Sequence, residues 1–194
     1  FQDRYLSWMK TLLTTPSETT GKRLLDEPAL MGIELVNEDS FFFWTFNDNN
    51  IPDPQLRILE SQFAQWLIKR DGSLEAATNL WDTERLARDA WDEGRVAFRP
   101  LWNIANQKTK RDKDTARFLA ETQTAFYQKA VRFLRELQYQ GLVCTSNWAT
   151  ASPEVLGPIE KLTYTVGDFI DRHGYFGCRN QGEFSEWSLR DGHT

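Results

Sequence analysis

The chain is poor in the residues that build metal centres and covalent frameworks. It has two histidines, two cysteines and two methionines among 194 residues. Cys144 and Cys178 lie far apart and follow no ligand spacing, which excludes a zinc ribbon and a disulfide scaffold. Cys144 sits inside an apolar run and is expected to behave as a small buried side chain. No apolar stretch approaches the ~20 residues that span a bilayer. There is no glycine-rich phosphate turn, no internal repeat and no low-complexity tract. Positive charge is not in excess: 23 Lys and Arg face 28 Asp and Glu, a net charge of −5. That balance argues against a broad nucleic-acid surface. The densest basic cluster, Lys108 to Lys113, is interrupted by Asp112 and reads as the solvated start of a helix.

Aromatic side chains are plentiful, with eight Trp, thirteen Phe and five Tyr. Such rings stack on sugars, and they also fill cores. Charged residues at 26% and apolar residues at 40% describe an ordinary folded domain. The length suits a single domain, residues 1–194, but falls short of the ~250 residues of a complete eight-fold α/β barrel. The chain opens on Phe1 and closes on Thr194, and we expect it to be a fragment of a longer protein.

Apolar periodicity orders the chain. Tyr5, Trp8, Met9, Leu12 and Leu13 make one face of a helix over 4–14, stopped by Pro16. Residues 31–37 read as a strand bounded by turns, in which Glu34 is out of place for a strand buried on both faces. An aromatic run, Phe41 to Trp44, follows. A helix is expected over 54–70, with Asp53 as its cap, then two short helical pieces over 73–80 and 83–91. The longest helix is expected over 112–140, ended by Gly141, and Leu142 to Ser146 form a second strand. A third strand is expected over 168–171, and 177–194 read as loop. Strands alternating with helices imply parallel pairing through crossovers. The class is therefore α/β, and each strand ends in polar and aromatic residues, where an α/β barrel carries its active site.

Three of these strand ends carry a resemblance. Gly32-Ile33-Glu34-Leu35-Val36-Asn37-Glu38-Asp39-Ser40 resembles the fourth strand of the retaining, cellulase-like (β/α)8 glycoside hydrolases, which ends in an Asn-Glu pair. Leu142 to Trp148 resembles the fifth strand, and Asp168 to Tyr175, with its His-x-Tyr pattern, the sixth. The resemblance spans roughly residues 25–176. It implies a partial (β/α)8 TIM barrel with long crossover helices, covering about strands 4 to 6. It also implies Glu38 as catalytic acid/base, with Asn37 on the sugar 2-hydroxyl. Asn147, Trp148, His173 and Tyr175 would line the substrate site. The substrate implied is a poly- or oligosaccharide, with no metal or organic cofactor. A secreted or extracytoplasmic location follows from that substrate class alone. The family's nucleophile is a second Glu on the next strand. Glu186 is a candidate for it, but an apolar strand does not precede it, so the nucleophile is expected beyond Thr194.

Each residue also has a plainer reading. Glu38 suits an acid near aromatic side chains, whose burial raises its pKa, or a loop carboxylate capping backbone groups. His173 could be a satisfied structural histidine, and Asp171 could pair with Arg172 or Arg179. Trp44, Trp148 and Trp187 could be sugar platforms or rim cover, whereas Trp66, Trp81 and Trp91 lie in helical patterns and belong to the core. Two functions compete with hydrolysis. One is a non-catalytic carbohydrate-binding or protein-interaction module on the same scaffold. The other is an unrelated α/β domain whose strand ends contact a partner. Open strand edges in a fragment further predict a homodimer.

Overall fold

The structure is a computed structural model that describes residues 1–81, 84–174, 179–181 and 186–188. Helix α1 runs Gln2–Thr14 and strand β1 Gly32–Val36, followed by α2 Asp53–Asp71, α3 Leu74–Asn79, α4 Leu101–Asn106 and α5 Lys110–Glu136. Strand β2, Leu142–Ser146, and α6, Gly157–Tyr164, come next, and two short strands close the order, β3 Arg179–Gln181 and β4 Glu186–Ser188. Among the described residues, no helix is long and apolar enough to cross a membrane.

β1 and β2 pair in parallel, with Ile33 opposite Val143 and Glu34 opposite Cys144. The chain returns on the other side of β2: the Asp168 N–H donates to Val143 O at 2.8 Å, and Phe169 bridges Cys144 in parallel. The class is α/β, with a small parallel sheet and helices packed on it. Leu35 and Val143 face a core made with Leu6, Met9 and Leu13 of α1, Tyr127, Ala130 and Leu134 of α5, and Tyr164 of α6. The Tyr5 hydroxyl donates to Leu35 O at 2.5 Å and so ties α1 to β1.

A second core lies over the N-terminal half of α5. Phe63 of α2 stacks on Phe118 at 5.0 Å and on Phe98 at 5.4 Å, with Leu67, Ala77, Trp81 and Leu119 around them. Each fully buried Phe or Leu contributes about 1.5–3 kcal/mol relative to an exposed one. The two cores are joined by α5, whose 27 residues span roughly 40 Å. Its start is fixed by a capping box. Thr109 Oγ1 accepts the Asp112 N–H at 3.2 Å, and Asp112 Oδ2 accepts the Thr109 N–H at 2.9 Å.

Several elements differ from the sequence reading. Over 84–91 there is no helix, only a single 3-10 turn at Trp91–Glu93, because Asp89 leaves the backbone pattern to bond Arg111. The basic cluster is not wholly solvated: Lys108, Lys110 and Lys113 are exposed, but Arg111 is fully buried on Asp89. α5 stops at Glu136, and Gln138, not Gly141, takes the left-handed conformation with φ 69°. Residues 168–171 make one bridge rather than a strand, since the Asp168 carboxylate replaces a ladder partner by accepting the Val143 N–H at 2.7 Å. The segment read as loop contains an antiparallel pair, Arg179↔Ser188 to Gln181↔Glu186. Cys144 is buried as expected. Trp81 is core, while Trp66 and Trp91 are partly buried against it.

Candidate functional site

Parallel pairing sends the ends of β1 and β2 out at the same edge, so Asn37-Glu38 and Asn147-Trp148 emerge side by side. Glu38 has a φ of 49°, a left-handed backbone that costs a non-glycine residue about 1–2 kcal/mol. Strain of this kind persists where surrounding bonds enforce it, and it clusters at functional sites. Here the Glu38 N–H donates to Asn147 Oδ1 at 2.9 Å. A third segment arrives through its backbone, the His173 N–H donating to Asn147 O at 3.1 Å. The side chains then close a chain of contacts. His173 Nδ1 lies 2.7 Å from Glu38 Oε1, and His173 Nε2 lies 2.9 Å from Asn147 Nδ2. Asn147 Nδ2 also reaches Asn37 Oδ1 at 3.4 Å. Asn147 is fully buried, whereas the Glu38 and His173 side chains keep 26% and 34% of their surface exposed, enough to meet a ligand.

Two acids join this group that sequence reasoning left out of the site. Glu34, Asp171 and His173 bring one ligand-type atom each within 4.8 Å of one another. Burial pushes the Glu34 carboxyl up, and the Asp171 and Glu38 charges push the same way, against His173 and Asn147. The hydrogen bond to Glu38 holds His173 above its ordinary value, against partial burial and with help from the Glu34 and Asp171 charges. Both imidazole nitrogens already have partners, so a cation would find only the two carboxylates, and we assign none. The signal for Glu34 was in the sequence. It is a charged residue inside an otherwise apolar strand, the anomaly the sequence already showed. Asp171 closed the expected strand over 168–171 and was read there as a partner for Arg172 or Arg179, whereas its carboxylate accepts the Arg172 N–H and lies by His173.

Beneath the rim lies a buried polar layer. Glu160 accepts from the Tyr164 hydroxyl at 2.9 Å, from Ser40 Oγ at 3.0 Å and from Arg172 Nη2 at 3.2 Å. Burial raises its carboxyl above the usual range, only partly offset by Tyr164, Ser40 and Arg172. Ser146 Oγ donates to Asp39 O at 2.9 Å, and Gln123 Oε1 accepts the Phe41 N–H at 2.9 Å. These bonds fix the turn after Glu38 and the residue before His173 to one scaffold.

Among the aromatic candidates, Trp148 is half-buried and meets Phe43 edge-on at 5.4 Å, while Trp44 is 51% exposed. Arg172 bonds the Trp148 carbonyl. Asp171 accepts the Arg172 N–H at 2.7 Å, and the Arg172 guanidinium goes instead to Glu160. Tyr175 lies outside the described residues, as do the side chains of Arg179, Glu186 and Trp187. The structure thus gathers Asn37, Glu38, Asn147 and His173 at one edge, with Trp148 next in the chain. No family model matches this chain, and no curated protein or solved structure matches it either.

Proposed function

We propose that the chain carries the acid/base part of a glycoside hydrolase site acting on a poly- or oligosaccharide, built on part of a (β/α)8 TIM barrel. One observation carries this reading. A carboxylate in strained backbone at the end of a parallel strand is held by an asparagine and a histidine from two later segments at the same edge. Glu38 would donate a proton to the departing glycosidic oxygen, and in the second half-reaction take one from the water that enters. Asn37 supplies an amide for sugar hydroxyls, the fully buried Asn147 holds Glu38 and His173 in place rather than touching the sugar, and Trp148 and the exposed Trp44 supply faces for the ring. Glu34 and Asp171 bring two further carboxylates to the edge that carries the acid. The partner nucleophile is sought on the segment that follows His173.

The test is hydrolysis of a panel of aryl glycosides and β-linked polysaccharides. Turnover of at least one of them is expected where a second carboxylate completes the site. Glu38→Gln should lower kcat/KM by about 10²–10⁴-fold with an unchanged circular dichroism spectrum. Full activity in that variant ends the assignment. Calorimetric binding of a glycan without turnover in the full-length protein supports a carbohydrate-binding module instead.

A further inference from the structure

We infer that Asn147 is a positioning residue that selects the histidine tautomer of this site. It holds neutral His173 with its proton on Nδ1, facing Glu38, and with its lone pair on Nε2. The meaning of this device for catalysis rests on the hydrolase reading above; the device itself rests on geometry.

The orientation of the Asn147 amide is fixed. Its oxygen accepts the Glu38 N–H at 2.9 Å. A flipped amide would set an NH₂ group against that N–H, two donors face to face. The left-handed backbone at Glu38 fixes where the N–H points, so neither side can turn away. The amide nitrogen therefore lies on the far side, and its neighbours agree. It meets His173 Nε2 at 2.9 Å, Asn37 Oδ1 at 3.4 Å and the Glu34 carboxylate, all of which can accept. With a donor aimed at Nε2, the neutral ring must keep its lone pair there and its proton on Nδ1. That proton is then donated to Glu38 Oε1 at 2.7 Å. Asn147 is fully buried, so water does not compete for the amide, and the His173 N–H to Asn147 O bond at 3.1 Å holds the two residues in register.

The charges around the ring push the other way. Glu38, Glu34 and Asp171 all face it, with Asp171 Oδ2 at 3.6 Å from Nε2, and each favours a second proton. The cation next in the chain, Arg172, turns to Glu160 and the Trp148 carbonyl. The Asn147 amide is what meets Nε2 as a donor. It therefore withholds His173 from service as a base through Nε2 and makes the ring a fixed donor to the proposed acid/base.

The experiment reads the ring directly. The two histidines are His173 and His193, so His193→Gln leaves His173 alone. Long-range ¹H–¹⁵N correlation, recorded above the imidazole's titration, should show Nδ1 protonated and Nε2 bare. The reverse pattern, the one histidine prefers in water, overturns the inference. Asn147→Asp keeps an acceptor for the Glu38 N–H but turns an oxygen toward Nε2. Nε2 should then hold a proton at a pH where the wild type has none, the midpoint rising by about one unit or more. An unmoved midpoint in the folded variant overturns the inference too. If the variant does not fold, the wild-type spectrum decides alone. In the hydrolase assay, Asn147→Asp should shift the pH profile and lower kcat more than it changes KM. The tautomer readout does not use turnover. A bare Nε2 with an active Glu38→Gln variant would sink the hydrolase reading alone, and a protonated Nε2 with an inactive one would sink only this inference.

Discussion

Two fully buried carboxylates, Asp89 in the aromatic lobe and Glu160 under the strand ends, are each bound to an arginine and yet shift in opposite directions. Asp89 is gripped by both Nη atoms of Arg111, at 2.9 and 2.6 Å, and accepts the Leu86 and Ala97 N–H groups at 2.7 and 2.9 Å. Burial pushes its carboxyl up, but those four bonds outweigh burial and hold it below the usual range. Glu160 receives two hydroxyls and a single guanidinium contact at 3.2 Å, and burial wins. What decides the sign is the number and charge of the donors, not depth. The aromatic lobe meets each of its buried acids with one arginine or two: Arg111 on Asp89, Arg95 and Arg88 on Glu60, Arg99 on Asp112. The strand-end rim leaves its acids under-compensated, and sites of chemistry have that signature. The first region thus keeps its buried acid charged, and the second holds a buried acid toward its protonated form.

The largest expected effect tests the lobe. Arg111→Ala leaves Asp89 charged and buried, and should destabilise the protein by about 3–5 kcal/mol in urea titration at neutral pH. A loss under ~1 kcal/mol would break the contrast. Because the folded Asp89 value is lowered, its contribution is complete above the unfolded value near ~3.9. It disappears as pH falls through the lower folded value. The gap between wild type and Arg111→Ala should therefore close in acid.

Glu160→Gln gives a smaller effect of opposite sign. Its folded value is raised, so the native state favours the protonated form. Stability from this group is greatest below the unfolded value near ~4.3 and declines as pH rises through the folded one. Melting curves from pH 4 to 8 should show Glu160→Gln gaining on the wild type as pH rises. A gap that shrinks with rising pH would put Glu160 in the same class as Asp89. The smallest effect is at the α5 cap: Thr109→Ala should lower stability by about 1 kcal/mol and leave the His173 imidazole spectrum unchanged. A change there would mean that the lobe and the rim do not act separately.

The comparison also separates what was legible. β2 follows the apolar run from Leu142 to Ser146, and α2 follows its apolar stripe between Pro52 and Gly72, because each rests on local patterning. The expected helix over 83–91 failed because Asp89, polar in any local reading, is claimed by Arg111 from 22 positions away. The site was half legible. Glu38, Asn147 and His173 were recognisable as strand-end polar residues, and the fold brings them within hydrogen-bond reach of one another. Glu34 was visible only as an anomaly, and Asp171 only as an ion-pair partner for Arg172 or Arg179.

Patterning along the chain determined the parallel α/β character and the positions of β1, β2, α2 and most of α5, since a buried face must repeat with the period of its own element. Tertiary structure decided which ionisable groups are paired and which are left under strain. Those contacts join residues 109 to 135 positions apart at the rim, a separation that no local period can encode.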